Sequence, residues 1–350
     1  MDEKRKKSRA KDILMRLRGN PIWILIVFVV VYYFGVSFSL IPWALMMEAV
    51  QDRVSDGFFY IMEYYTCTVV AILYLFLLCW LIRPNRYIWK SFLLKKKCAA
   101  AAKEENDILA ELYGRSRNGF RQLGWGLLIG ALMNGFAIVC ALLHGDIKLY
   151  FETSVGQVLL LLFALFSVFI QSTSEELWCR GFLYERLHER CPLWVAILAN
   201  AVLFAAMHIL NDGVTVFAII SIGVCGLSYS LLRWYSGSIW IAMGVHTAWN
   251  FVQAFLFGLP NSGVVSEVSL FHLDASTGIS NLIYDFAFGV EGALPSLFIN
   301  LMIGVIAVIL AARSGRLKEL KMKRASTMQE LNAHAGTSSG SHVGVFGTSP

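Results

Sequence analysis

Residues 155–181 read VGQVLLLLFALFSVFIQSTSEELWCRG, and this stretch decides the class of fold. Its first part is apolar over nearly the length that a helix needs to cross a bilayer, about 20 residues. Glu175, Glu176 and Arg180 follow directly after the apolar run. Charged side chains are costly inside a membrane and usually mark functional sites there. The stretch therefore predicts a membrane helix that carries chemistry.

The rest of the chain has the same apolar character. Of its 350 residues, 57% are hydrophobic and only 15% are charged, whereas an ordinary soluble domain carries about 25% charged residues. One water-soluble core could not hide so many apolar side chains. We therefore expect an all-α fold, a polytopic membrane helical bundle.

Apolar runs long enough to cross the membrane occur about eight times. The predicted transmembrane helices are residues 22–46, 58–81, 123–143, 155–172, 193–209, 214–232, 239–257 and 294–312. The first of them is too long for the apolar region of a signal peptide, so we expect it to be retained.

Basic residues are concentrated in a few connections, and the formal net charge is +6. Residues 1–20 carry eight Lys and Arg, the 83–121 connection carries ten, and residues 313–324 carry six. With eight spans, all of these blocks fall on one side of the membrane. The positive-inside rule then predicts two cytoplasmic termini, in a bacterial plasma membrane. Such blocks fit anionic lipid; no nucleic-acid-binding motif accompanies them.

The motifs and the charge pattern also suggest how the chain is divided. We predict a basic cytoplasmic N-terminus (1–20), N-terminal transmembrane helices (21–150) with a cytoplasmic connection (83–121), an intramembrane core (151–258), an extracytoplasmic loop (259–292), a last transmembrane helix (293–312) and a basic, then disordered, cytoplasmic tail (313–350). Residues 99–113 favour a short amphipathic helix. The seven cysteines contain no Cys-x-x-Cys pair and are expected to be reduced.

Polar residues in neighbouring spans are predicted to lie at one depth in the membrane. Cys191 and Pro192 mark a break between the fourth and fifth helices. Glu175 precedes this break, and His208 follows it, by about sixteen residues each. In an antiparallel helical hairpin, equal distances from the turn place two residues level with one another. We therefore expect Glu175 and His208 to lie close together.

Spacing within the helices assigns further partners. His246 and Asn250 are four residues apart and share one helix face. Glu176 and Arg180 have the same spacing, in the order that favours an ion pair. Because Glu175 points about 100° away from Glu176, it is free to face a cavity. The nearby Trp178 and Trp249 are explained by packing, and a solvated helix end explains the charged residues at 185, 186, 189 and 190.

Two kinds of water activation are open to this cluster. A carboxylate in a low-dielectric pocket suits a general base, with His208 as its helper. His246 and Asn250 could then donate hydrogen bonds to a developing oxyanion. Alternatively, Glu175, His208 and His246 could bind Zn²⁺ in an open three-ligand site. Both arrangements support amide hydrolysis, and the sequence does not choose between them.

The three motifs together resemble a known family. Glu175-Glu176-x-x-x-Arg180, Phe204-x-x-x-His208 and His246-x-x-x-Asn250, each on its own predicted helix, are similar to the CAAX protease and bacteriocin-processing family, also called the Abi family. This family of intramembrane proteases includes the type II CAAX prenyl endopeptidases. The resemblance covers residues 155–257.

The resemblance implies a membrane-embedded endopeptidase that acts on a peptide or membrane-protein substrate, of the CAAX type or of the bacteriocin or leader type. Both a metalloprotease and a metal-free glutamate mechanism are attributed to the family. The implied roles are Glu175 as base, His208 as its partner, His246 and Asn250 as oxyanion stabilisers, and Glu176 and Arg180 as supporting residues.

Two other classes of function remain open. Intramembrane Glu and His side chains also build the proton relays of transporters, but the chain shows no paired repeats or broken helices typical of them. A non-catalytic immunity or scaffold protein could keep the same fold. Substrate flux in proteoliposomes would indicate the transporter, and cellular function that survives Glu175→Gln would indicate the scaffold.

Overall fold

The computed structural model describes residues 20–64, 68–82, 118–188, 190–274 and 280–315. The basic N-terminus, the amphipathic helix predicted at 99–113 and the tail predicted to be disordered lie outside the described residues. Within the chain, one compact unit ends at Gly304 and a second begins at Val305. All the residues of the site described below belong to the first unit.

The described residues are mostly helical. The α-helices are α1 (Pro21–Val29), α2 (Ser37–Glu48), α3 (Asp56–Tyr64), α4 (Val69–Ile82), α5 (Phe120–His144), α6 (Val155–Glu176), α7 (Tyr184–His188), α8 (Leu193–Ala206), α9 (Val216–Ser236), α10 (Ile239–Phe251) and α11 (Leu294–Arg313). Three π-helical segments cover Val30–Val36, Leu177–Leu183 and Val252–Leu256. Short 3₁₀ turns cover Gln51–Arg53 and Val290–Gly292.

Apolar helices make this an integral membrane protein, but the predicted count of eight spans is not confirmed. In the described part of the chain, four helical stretches are long and apolar enough to cross a bilayer: Phe120–His144, Val155–His188, Val216–Ser236 and Leu294–Arg313. Shorter apolar helices cover Pro21–Tyr33, Val69–Cys79 and Leu193–Ala206. The first predicted span contains a π-helical segment and Pro42, and the fifth ends three residues early, at Ala206.

Two short strands depart from the all-α prediction. Leu149–Phe151 (β1) pairs antiparallel with Phe271–Leu273 (β2), and Tyr150 lies opposite His272. The rings of these two residues stack at 5.4 Å. Strands of three residues are too short to show the alternation that identifies a strand in sequence. The pairing ties the loop after α10 to the connection before α6.

Helix α10 is the central helix of the described bundle. Every residue from Ile241 to Asn250 is buried, as expected for a helix that is surrounded on all sides. Its start is fixed by Gly237, which ends α9 with a φ of 66°, and by Ser238, whose side chain accepts a hydrogen bond from the Trp240 N–H. The central position carries the polar residues of α10 into the protein interior.

Glycines let α5 approach α10 closely. A Cβ atom on Gly126 would lie 2.3 Å from the Ile241 carbonyl oxygen, and one on Gly130 would lie 2.2 Å from the Val245 carbonyl oxygen. From the other side, a Cβ atom on Gly244 would meet the Leu123 carbonyl oxygen at 2.5 Å. This is the close backbone packing that small residues four apart allow between membrane helices.

We expect Gly130→Ala to destabilise the protein by about 1–3 kcal/mol, because the added methyl group forces α5 away from α10. The matched control is Gly135→Ala on the same helix, where an added Cβ atom meets nothing within 4 Å. Thermal unfolding of the two variants in detergent micelles measures the difference. Equal unfolding temperatures for both variants would contradict the packing described for α5 and α10.

Candidate active site

The predicted ion pair between Glu176 and Arg180 is present, and it is fully buried. Arg180 Nη1 lies 2.9 Å from Glu176 Oε1, and both side chains are 0% exposed. The helical course continues from α6 through Leu177–Leu183 to α7, so the pair lies inside a continuous helical stretch. Arg180 also donates to the Gly226 carbonyl oxygen at 3.2 Å and packs over the Phe204 ring at 4.1 Å.

His246 lies between the two glutamates. Its Nδ1 is 3.0 Å from Glu176 Oε1, and its Nε2 is 3.9 Å from Glu175 Oε2. Because an ionised carboxylate only accepts hydrogen bonds, Nδ1 carries the proton in the first contact. Glu176 Oε1 therefore accepts from both His246 and Arg180. The second ring nitrogen of His246 is left facing Glu175.

Glu175 is held on one of its two oxygens. Gln171, one helical turn earlier, donates from Nε2 to Glu175 Oε1 at 2.5 Å. Gln171 Oε1 in turn accepts from Asn250 Nδ2 at 3.1 Å. Glu175 Oε2 is buried and has no hydrogen-bond partner among the described residues. Gln171 was not among the site residues predicted from the sequence, although its spacing of four from Glu175 was available as a signal.

His208 lies just beyond the end of α8, which begins, as predicted, after the Cys191-Pro192 break. Its Nδ1 is 2.9 Å from the Phe204 carbonyl oxygen. A carbonyl can only accept, so Nδ1 donates and Nε2 is the ring nitrogen that remains for other contacts. His208 and Glu175 line the same cavity, in agreement with the depth match predicted from the helical hairpin.

The cavity has a volume of about 170 Å³, and most of the side chains that line it are polar. Helices α6, α8, α9, α10 and α11 and the loop after α10 all contribute to its wall. The four predicted catalytic residues lie together here: Glu175, His208, His246 and Asn250. Glu176 and Arg180 lie behind this wall, where they contact His246 and Phe204.

Glu291 is the main site residue that the sequence analysis missed. It lines the same cavity, although it comes from the long loop before α11. Its Oε1 accepts from Trp249 Nε1 at 3.0 Å and from Asn261 Nδ2 at 3.2 Å, and its Oε2 accepts from the Ser262 N–H at 2.7 Å and hydroxyl at 2.6 Å. Burial raises the pKa of the Glu291 carboxyl, while the Ser262 hydrogen bonds and the His208 charge oppose that rise.

The explanation of Trp249 by packing alone is therefore wrong, because its indole donates to Glu291. No signal in the sequence separated Glu291 from the other acidic residues of the loop. Those residues have no helical or strand period, so their positions in space depend on the tertiary fold. The tertiary fold places Glu291, a residue of the predicted extracytoplasmic loop, at the cavity.

The solvated helix end predicted after the site is also corrected. Glu185 and Arg186 are only 5% and 6% exposed. Arg233 from α9 donates to the Glu185 carboxylate, so this helix end packs against α9. Arg190 is exposed, as predicted, and Glu189 lies outside the described residues. Helix α7 is thus part of the bundle, and its buried Glu185 is paired with Arg233, as a buried charge requires.

Glu175, His208 and His246 are the residues that a zinc site would use. Within the described part of the chain, no three His, Cys, Asp or Glu side chains are placed to hold a metal ion. The Nδ1 atom of His246 faces Glu176, which already pairs with Arg180. This contact leaves the Nε2 atom of His246 available to a metal, as in a carboxylate–histidine–zinc triad, so the zinc alternative stays a prediction.

Comparison with known proteins agrees with the motifs. Searches of curated proteins and of solved structures found no match to this chain. A family model does match: residues 157–252 fit the family described as type II CAAX prenyl endopeptidase Rce1-like. This range includes all four predicted catalytic residues and ends before the loop that carries Glu291. The family match implies a CAAX-type intramembrane protease in general, and it confirms the predicted resemblance to the type II CAAX prenyl endopeptidases.

Proposed function

We propose that this protein is an intramembrane endopeptidase that hydrolyses a peptide bond with a water molecule activated by Glu175. The observation that carries the proposal is the position of His246 Nε2, 3.9 Å from Glu175 Oε2 in a cavity that His208 and Asn250 also line. A base, two imidazoles and an amide thus surround one small volume. These groups can activate water and stabilise an oxyanion, the two tasks of amide hydrolysis.

In the proposed first step, Glu175 acts through Oε2, since Oε1 already accepts from Gln171. A water proton passes to Oε2 while the water oxygen attacks the carbonyl carbon of the scissile bond. The negative charge moves to the carbonyl oxygen. A second N–H of Asn250 and a protonated His246 are the proposed donors to that oxyanion.

The protonated form of His246 fits its surroundings. Arg180 balances one of the two neighbouring carboxylates, that of Glu176. Glu175 leaves one negative charge uncompensated, which a proton on His246 would neutralise. In that state both ring nitrogens donate, Nδ1 to Glu176 and Nε2 toward the reacting centre.

In the second step the C–N bond breaks and the leaving amine takes up a proton. His208 is the proposed donor, through Nε2, because Nδ1 is bonded to the Phe204 carbonyl oxygen. The proton that Glu175 took from the water then passes to His208, which restores both side chains, and the new carboxylic acid loses its proton to the amine product. Water is consumed, and one carboxylate and one amine are formed.

The substrate is proposed to be a membrane-associated protein or peptide, of either the CAAX type or the bacteriocin or leader type. We also propose a bacterial plasma membrane with both termini in the cytoplasm, supported by the basic blocks at residues 1–20, 83–121 and 313–324. The site residues favour an enzyme over a transporter, because their hydrogen bonds converge on one cavity.

The substrate class is tested by a panel of peptides supplied to the full chain in proteoliposomes. The panel contains a prenylated CAAX peptide, its unprenylated form and a leader peptide with an internal cleavage site. We expect cleavage of at least one member, and we expect His208→Ala to lower its kcat by about 10²-fold or more. Cleavage of none by a folded protein would favour the non-catalytic scaffold.

A further inference from the structure

An unbroken series of hydrogen bonds joins the loop carboxylate Glu291 to the proposed base. Asn261 donates through Nδ2 to Glu291 Oε1 at 3.2 Å and to Asn250 Oδ1 at 3.4 Å. Asn250 donates to Gln171 at 3.1 Å, and Gln171 donates to Glu175 at 2.5 Å. The loop residues Asn261 and Glu291 are thereby connected to Asn250 on α10, and through it to Gln171 and Glu175 on α6.

We infer that Gln171, Asn261 and Glu291 are positioning residues of this site, which together fix the orientation of Asn250 and Glu175. The inference rests on the proposed function, since it assigns these residues to the same reaction. None of the three is proposed to touch the reacting atoms. Their role is to decide which atoms of the two catalytic side chains face the substrate.

The direction of the series follows from its two ends. The Trp249 indole and the Ser262 N–H donate to the two Glu291 oxygens, so the carboxyl group acts as an acceptor here and Asn261 turns its amide nitrogen toward it. The same nitrogen donates to Asn250, which fixes Oδ1 of Asn250 as the acceptor. The amide nitrogen of Asn250 is then directed toward Gln171. Rotating the side-chain amide of Gln171, Asn250 or Asn261 by 180° would place two donors or two acceptors opposite each other.

This direction has a chemical consequence at Glu175. Gln171 occupies Oε1, so Oε2 is the oxygen left to face His246 and to take a proton from water. An amide nitrogen carries two hydrogens, and Asn250 uses one of them on Gln171. The other is left for an oxyanion. The loop therefore sets the geometry of both the base and one oxyanion donor.

Glu291 is a suitable anchor because all its bonding capacity is used inside the protein. Four donors from Trp249, Asn261 and Ser262 surround it. A carboxylate held by several donors has little freedom to turn. Ser262 and Asn261 belong to the loop, and Trp249 is the neighbour of Asn250 on the central helix α10. The anchor thus joins the loop to that helix directly beside the site.

A double-mutant cycle on kcat tests the inference. The variants are Gln171→Leu, Asn261→Leu and the two combined, measured on a peptide that the wild type cleaves. We expect Gln171→Leu to lower kcat by about 10²-fold, the loss typical of a displaced catalytic group, with KM within about twofold. Asn261→Leu is expected to lower kcat by about tenfold in the wild type, but by less than about twofold once Gln171 is gone, because residues of one network are not additive.

Matched controls separate positioning from a general loss of structure. Gln157→Leu makes the same change earlier on α6, at a side chain outside the cavity, and should leave kcat unchanged. Asn261→Ser removes both amide hydrogen bonds but keeps the position polar, and it must reproduce the cycle. Unfolding temperatures of all variants identify any that fail to fold.

Additive losses in kcat, or losses confined to KM, would overturn the inference. The proposed function fails separately, if Glu175→Gln cleaves as fast as the wild type. If Glu175→Gln is inactive while the kcat losses of Gln171→Leu and Asn261→Leu are additive, only the proposed positioning role is contradicted. A folded wild type that cleaves no peptide overturns both.

Discussion

Glu175→Gln is expected to lower kcat for peptide cleavage by about 10²–10⁴-fold, the usual contribution of a general base. Gln keeps the shape of the side chain and can still accept a hydrogen bond from Gln171. It cannot take a proton from water at neutral pH. The variant should therefore fold and bind substrate normally, with KM close to that of the wild type. Initial rates over a range of peptide concentrations measure both constants.

Glu267→Gln is the matched control for this substitution. Glu267 is an exposed carboxylate of the same loop that carries Asn261 and does not line the cavity. The same chemical change there should leave kcat within about twofold, since surface substitutions away from a site are nearly neutral. Equal losses in both variants would show that the effect of Glu175→Gln is not local.

Arg180→Met is expected to cost the largest amount of stability, about 3–5 kcal/mol, because it leaves the buried Glu176 carboxylate without its partner. Both members of the pair are 0% exposed, so water cannot replace the lost interaction. The substitution keeps the apolar stem of the side chain but removes the guanidinium group that packs over the Phe204 ring, which adds a packing loss to the electrostatic cost. Equilibrium unfolding in mixed micelles measures the change.

The combined variant Glu176→Gln with Arg180→Met should recover most of that stability. It removes the buried charge together with its partner, and a buried ion pair can be replaced by neutral groups at little cost. Gln at 176 can still accept the hydrogen bond from His246 Nδ1. A double variant no more stable than Arg180→Met would show that the cost lies in packing and not in the unpaired charge.

Local rules predicted correctly which of the polar side chains lie together. The ion pair follows from the spacing of Glu176 and Arg180, and the shared cavity of Glu175 and His208 follows from their equal distances to the break at Pro192. These rules hold because a continuous helix fixes both the rise and the rotation of each residue. The assignment of helices α5, α6, α9 and α11 as long apolar segments rests on the same regularity.

Nonlocal features could not be predicted in the same way. Glu291 and Asn261 reach the cavity through a loop of irregular backbone, whose course depends on contacts with α10 and not on a repeating pattern. The π-helical segment Leu177–Leu183 and the three-residue strands also lack a sequence period. The burial of Glu185 depends on Arg233, which is far away in the chain.

Cleavage in water enriched in heavy oxygen tests the central claim most directly. The full chain is reconstituted in proteoliposomes, and a CAAX or leader peptide that it cleaves is added. The masses of both products are then measured by mass spectrometry. If Glu175 activates water for hydrolysis, the wild type and Glu267→Gln place one heavy oxygen in the new carboxyl group, and Glu175→Gln forms this product at least about 10²-fold more slowly. The same labelled product from Glu175→Gln at the wild-type rate would contradict the account.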